Sequence, residues 1–377
     1  MLLVGGGVAS VRCARTLRRA GFDRPIVLVG SEPVLPYNRP PLSKELLRDD
    51  VPDELLLAES AGWYEKRGIE VLAGTTVVEL DPADRLATLD DGSRVAFDQC
   101  LIATGAEPRR PPIAGAERAL VLRTLEDARR IDVLAQPATR VAIVGAGFIG
   151  VEVASALAAR GARVTVVELA PEPWGGALGD ELGRWASAEL EAAGVDLLTR
   201  SAVTAIETDG IRIGEREVGA DVVIIAVGVG PRDGLARGAG LAVNDGVMTD
   251  AGHRTSAPDI FAAGDVARVD GVRVEHWHSA REGGERAALA MLGRELPPSR
   301  APWVFSEVAG RQLDVVGSAP SWDETRRIGD ANRFAIAYLR EGRVAQLAIV
   351  DAALPVDDAR SLVERRPSFE EAGLRIG

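Results

Sequence analysis

A short apolar strand, a glycine-rich turn and a helix-like run occur twice in this chain, 140 positions apart counted from Gly5 to Gly145. The first copy reads Val4-Gly5-Gly6-Gly7-Val8-Ala9-Ser10 and the second Val144-Gly145-Ala146-Gly147-Phe148-Ile149-Gly150. Both sit where a dinucleotide fingerprint must sit, after a strand and opening a helix. Gly5 and Gly145 permit the tight turn, Gly7 and Gly147 let backbone approach a pyrophosphate, and the helix amino terminus favours the anion. The third position is Gly150 in the second copy but Ser10 in the first, at a small cost in helix–strand closeness.

The repeat is larger than the motif. Residues 1 to about 30 read strand, turn, helix (Ala9 to Ala20) and strand (Pro25 to Val29), one βαβ unit. A proline-rich passage, Pro36 to Lys44, and a polar helix-like piece to Arg67 follow, then a strand at Ile69 to Leu72. Alternating residues from 76 to 98, turning at Asp91-Gly92, predict a hairpin ribbon before the apolar strand Leu101-Ile102-Ala103-Thr104-Gly105. The order then restarts: strand Arg140 to Val144, helix to Ala159, strand Arg163 to Val167, a ribbon over Val203 to Val218, and strand Val222 to Ala226 before Gly228. Two nucleotide-binding halves of doubly wound α/β architecture are expected. Beyond Pro231 come a short strand with an acidic tip (Asp259 to Asp265), a helix from about Ser279 to Leu292, and a small α+β region from about Pro302.

Glu168 ends the strand after the second fingerprint, 18 residues beyond Gly150. A carboxylate there accepts hydrogen bonds from an adenosine ribose diol and repels a 2′-phosphate. No arginine lies between Glu168 and Trp174, so NADH is preferred to NADPH; the competing reading is an ordinary strand-end glutamate. Nothing in the sequence explains Trp174.

Composition narrows the classes. A net charge of −12 over 377 residues argues against nucleic-acid binding, and 46% hydrophobic residues suffice for real cores. Cys13 and Cys100 are the only cysteines and form no C-x-x-C pair or metal-ligand spacing, so they read as small buried apolar residues and no metal is expected. No apolar run reaches the ~20 residues of a membrane helix, and no targeting segment is visible, so a cytoplasmic location is expected.

Several passages occur in the order seen in one family: Tyr37 to Lys44, Ala103-Thr104-Gly105, Gly145 to Glu152, Phe261 to Asp265, and Glu275-His276-Trp277-His278-Ser279-Ala280. Together they resemble the FAD-dependent pyridine-nucleotide reductases, and within them the ferredoxin reductases serving bacterial oxygenases, the putidaredoxin and rhodocoxin reductase group. The resemblance covers essentially the whole chain. It implies a glutathione reductase-like arrangement: an FAD-binding domain from residues 1–107 and 235–299, an NADH-binding domain at 108–234, and a C-terminal domain at 300–377 over the flavin edge. It further implies hydride transfer from NADH to FAD, then single electrons to a [2Fe–2S]-type ferredoxin. A monomer or weak homodimer is expected, with no nucleic-acid or membrane partner.

The resemblance also assigns residues. Arg39 and Lys44 match cations along the flavin, and Asp265 the acid on its ribityl chain. Trp277 and His278 match the start of a helix facing the flavin pyrimidine, where Trp277 could equally be a core aromatic. Phe148 matches an aromatic that covers the flavin until nicotinamide displaces it, or is plain helix packing. Glu152 matches the acid near the carboxamide. Lys44, Glu152 and Phe148 are therefore the candidate catalytic set. The cofactor-binding set comprises Gly5, Gly7, Ser10, Glu32, Arg39, Lys44, Ala103, Thr104, Gly105, Gly264, Asp265, Glu275, His276 and Trp277 for FAD. Gly145, Gly147, Phe148, Ile149, Gly150, Glu152, Glu168 and Gly228 complete it for NADH. Ser306-Glu307 departs from the group's usual Ser-Asp-Gln, which bears on the acceptor. The rivals are a rubredoxin- or monodehydroascorbate-type reductase, a single-cysteine disulfide or peroxide reductase using Cys13, and an apoptosis-inducing-factor-like flavin-binding protein.

Overall fold

The computed structural model describes residues 1–49 and 51–374. It divides into two compact units: Met1–Asn38, Pro52–Glu107 and Val229–Ser299 form the first, and Arg39–Val51, Pro108–Gly228 and the chain from Arg300 onward form the second. Each is built on one fingerprint.

In the first unit five parallel strands lie in the order Ile260–Ala262, Cys100–Ile102, Leu2–Val4, Ile26–Gly30, Ile69–Ala73. All but the edge strand Ile69–Ala73, which carries an exposed Glu70, are continuous apolar runs because both sheet faces are covered. Helices Val8–Arg19 and Trp277–Met291 bury one face, and the antiparallel ribbon Val77–Asp81, Leu86–Leu89, Arg94–Ala96 helps bury the other. The two helices touch through glycine: a Cβ on Gly284 would stand 2.1 Å from the Ala9 carbonyl oxygen.

The second unit repeats this plan with four parallel strands ordered Asp196–Leu198, Arg163–Val167, Arg140–Val144, Val222–Ile225. Helix Phe148–Ala159 is apolar on nearly every side and buried accordingly. The ribbon Val203–Glu207, Gly210–Ile213, Arg216–Gly219 again packs over the sheet. From Trp303 a five-stranded antiparallel sheet follows, ordered Trp303–Val308, Arg311–Gly317, Arg343–Val350, Phe334–Arg340, Glu324–Gly329. Helix Val356–Arg365 lays Ala359 and Leu362 on it, giving the expected α+β piece.

Some local expectations shift. Each ribbon has three strands, because a second turn closes it. Near Arg85 that turn is made by the Asp81 carboxylate, which accepts from the Ala83 and Asp84 amides at 2.8 and 3.0 Å. The last helix of the first unit opens at Trp277, two residues early. Helix Gly175–Ala192 has no clear sequence signal, since it opens on two glycines and is broken at Gly179 (φ 73°, ψ 169°).

Both cysteines are buried, and burial pushes both thiols well above their usual pKa. The thiolate that redox chemistry needs is disfavoured at each, so the single-cysteine reading has no chemical support. Among the described residues no helix is long and apolar enough to cross a membrane.

Two stability tests follow from this packing. A Cβ at Gly150 would lie 2.0 Å from the Gly145 carbonyl oxygen, so Gly150→Ala is expected to cost about 3 kcal/mol in urea unfolding. His253 is buried, adopts φ +63°, and donates from Nδ1 to the Ala262 carbonyl at 2.9 Å. Burial, the largest cause, lowers its pKa, so the folded state resists a proton that the unfolded chain accepts below about pH 6.5. Its stabilising contribution is present above that pH and lost as pH falls. Thermal midpoints from pH 8 to pH 5 should therefore drop further for the wild type than for His253→Asn, whose side chain tolerates the left-handed backbone.

Candidate functional site

In the first unit the chain turns at Gly5 (φ +119°), where a Cβ would stand 2.1 Å from the Ala103 carbonyl oxygen. Gly7 caps helix Val8–Arg19, and a Cβ there would meet nothing within 4 Å, leaving its backbone approachable. Ser10 is completely buried, and its hydroxyl has no partner among the described residues. Gly264 (φ +78°) would place a Cβ 3.3 Å from that of Ala9, which brings the Gly264-Asp265 tip beside the same helix start. Glu32 follows the second strand, the position of a ribose-binding acid, and accepts from the Tyr37 hydroxyl at 2.5 Å. Thr104 donates to the Arg232 carbonyl at 2.7 Å, and Gly105 turns the chain at φ +72°. Arg273 reaches both Glu275 and Asp245. His276 precedes helix Trp277–Met291, and its Nδ1 and the Trp277 Nε1 are buried without partners among the described residues. Burial lowers the His276 pKa, and Asp265 acts in the opposite direction.

The fingerprint logic and these orphaned atoms fit FAD. An open glycine backbone at a helix amino terminus suits a pyrophosphate, and Ser10, His276 and Trp277 carry polar atoms for which the described residues offer no partner.

The second unit holds the complete fingerprint. Gly145 (φ +104°) would drive a Cβ to 2.6 Å from the Ala226 carbonyl oxygen, and Gly147 caps helix Phe148–Ala159. Glu168 is held by two backbone amides, Ala146 at 2.6 Å and Ala170 at 2.8 Å. Its carboxylate is thus fixed against the glycine turn rather than waving at a strand end. Ile149 and Leu169 expose apolar surface, and Gly228 turns at φ +92° with open space around its Cβ direction.

Glu152 lies one turn into the fingerprint helix and is only 4% exposed. Lys44 meets its Oε2 at 2.8 Å, Ser306 donates to Oε1 at 2.7 Å, and Ser43 donates to Oε2. The donors come from the proline-rich segment and from the C-terminal sheet. Both belong to this unit, so Arg39 and Lys44 are grouped with the second fingerprint rather than the first. Arg39 donates to the Arg123 carbonyl, Lys44 Nζ sits 5.5 Å from the Phe305 ring centre, and Arg48 pairs with Glu307 at 2.6 Å. The unusual Glu307 therefore anchors the proline-rich segment.

Sequence reasoning named Lys44 and Glu152 but not their pairing, and it missed Ser43, Ser306 and Tyr37. Ser43 and Tyr37 stand inside the quoted proline-rich motif and Ser306 inside the quoted departure. Their identity was in view, but the folding that joins them was not.

A buried ion pair is strongly destabilised by losing one partner alone. Lys44→Met and Glu152→Gln should each cost about 3 kcal/mol, whereas Lys44→Met/Glu152→Gln should cost less than the sum of the two separate replacements. Chemical unfolding of the four proteins in a double-mutant cycle measures this coupling.

The chain resembles known proteins along its length. The profile of the family described as pyridine nucleotide-disulphide oxidoreductase matches residues 1–284. The ferredoxin–NAD(+) reductase component of the biphenyl dioxygenase system of Paraburkholderia xenovorans (strain LB400) is 35% identical, covering 99% of this chain and 95% of that protein. The ferredoxin–NAD(+) reductase subunit of the benzene 1,2-dioxygenase system of Pseudomonas putida is 34% identical, covering 98% and 93%. The crystal structure of the covalent putidaredoxin reductase–putidaredoxin complex superposes with a TM-score of 0.95 at 28% identity, over 99% of this chain and 95% of that one.

Proposed function

The chain belongs to the pyridine nucleotide-disulphide oxidoreductase family, and from that premise we infer that it is an NADH-dependent ferredoxin reductase feeding an oxygenase. The observation that carries the reading is the presence of two glycine-turn nucleotide sites in one chain whose two cysteines are buried and unpaired. Electrons entering at one nucleotide have no dithiol to visit. FAD, when bound, supplies the conversion of a two-electron hydride donor into one-electron deliveries.

The protein's part is placement. Residues 1–107 and 235–299 are assigned to FAD, 108–234 to NADH and 300–377 to the C-terminal domain. Gly5, Gly7 and Ser10 would hold the FAD pyrophosphate end and Glu32 its ribose. Ala103, Thr104, Gly105, Gly264, Asp265, Glu275, His276 and Trp277 line the remainder. Gly145, Gly147, Ile149, Gly150, Glu168 and Gly228 receive NADH. Glu168 accepts ribose hydroxyls and, being a fixed carboxylate, rejects a 2′-phosphate. Phe148, Lys44 and Glu152 are assigned to the reacting end, with Arg39 as a second cation. Glu152 neutralises Lys44 while keeping an acceptor ready for an amide N–H. Ser43 and Ser306 hold that carboxylate in one orientation. The protein is proposed to act in the cytoplasm as a monomer or weak homodimer.

Steady-state assays against a panel of [2Fe–2S] ferredoxins test this. Two ferredoxins should be reduced for each NADH oxidised, with kcat/KM for NADH at least about tenfold above that for NADPH. Glu168→Ala should narrow that preference. Hydride consumption without reduction of any ferredoxin would contradict the assignment.

A further inference from the structure

We propose that Trp174 is a binding residue for the pyridine nucleotide, its indole N–H donating to the dinucleotide between the two riboses. This rests on the NADH assignment of the second unit. Four separate observations converge on the residue.

Its backbone is left-handed, φ +53° and ψ 13°, which is unfavourable for a bulky side chain. Such conformations persist where surrounding bonds enforce them, and they concentrate at ligand sites. Here the bonds are explicit. The Trp174 amide donates to the Ala146 carbonyl at 3.2 Å, and the Trp174 carbonyl accepts from Ala177 and Leu178 at 2.7 and 2.9 Å. Ala146 is the middle residue of the fingerprint turn, and its own amide is taken by Glu168. The strained residue is thus tied to the turn that receives the pyrophosphate.

The ring is placed as closely as the backbone. It lies 5.6 Å from the Phe148 ring, centre to centre, at an angle of 36°. Phe148 opens the fingerprint helix, so Trp174 spans from the turn to the helix's first residue.

Finally, Trp174 is 6% exposed, yet its Nε1 has no hydrogen-bond partner among the described residues. Burying a donor without an acceptor is costly, and native structures seldom tolerate it without a reason. Packing alone does not call for the donor, since an apolar aromatic ring packs against Phe148 without an orphaned N–H. A pyrophosphate oxygen supplies the missing acceptor, and the dinucleotide brings it to this turn.

The test uses oxidised holoenzyme and calorimetric titration with NAD+, ADP-ribose and adenosine. Trp174→Phe keeps an aromatic ring and removes the donor. Incorporating benzothienylalanine at the same position keeps the bicyclic shape and replaces N–H by sulfur, so it remains informative if the phenylalanine variant fails to fold. Both changes should weaken NAD+ and ADP-ribose about tenfold, as for loss of a hydrogen bond to a charged acceptor, while adenosine affinity stays within about twofold. Wild-type-like NAD+ affinity in a folded variant overturns the assignment, as does an equal loss for adenosine, which would indicate general damage to the packing. A wild type that binds no NAD+ overturns the NADH assignment as well, so the two failures are distinguishable.

Discussion

Two carbonyl oxygens decide how this chain can turn from strand into helix. At Gly5 the obstacle is the Ala103 carbonyl and at Gly145 the Ala226 carbonyl, each close enough that any side chain would collide with backbone. Both glycines also sit at positive φ, where an L-residue is strained even in open space. This approach sets the following helix directly over its sheet and presents unpaired helix N–H groups at the strand ends. The nucleotide positions, the flanking acids Glu32 and Glu168, and the third positions Ser10 and Gly150 all depend on that geometry.

That constraint explains why so much was legible beforehand. Glycine spacing is a local property, and the strand Arg140–Val144, the helix ending at Ala159 and the strand Arg163–Val167 fall where the pattern puts them. The α/β halves with a small α+β addition likewise follow from the order of elements. Local patterns fail where several segments cooperate. Glu152 is recognisable as a polar residue in an apolar helix, but its partners lie 109 and 154 positions away at Ser43 and Ser306. No periodicity encodes such a meeting. Glycines obscure helix Gly175–Ala192 because their helix propensity is poor, and packing overrides it.

The buried carboxylate also clarifies the C-terminal residues. Ser306 reaches Glu152, and the Ala309 amide donates to Ser155 at 3.0 Å, both on the fingerprint helix. Arg311 ties the same sheet to Glu189 at 2.7 Å. The final sheet is therefore bonded into the nucleotide half at its buried polar centre as well as along its surface. Glu307, which looked anomalous beside relatives of the group, completes that attachment through Arg48.

Anaerobic titration of the purified protein with NADH, followed through its visible absorbance, examines the central claim most directly. If one chain carries both nucleotides and passes electrons between them without thiols, one NADH bleaches one bound FAD, and replacing both cysteines by alanine leaves that stoichiometry intact. A protein without yellow absorbance, or one whose bleaching disappears with Cys13 and Cys100, would contradict it.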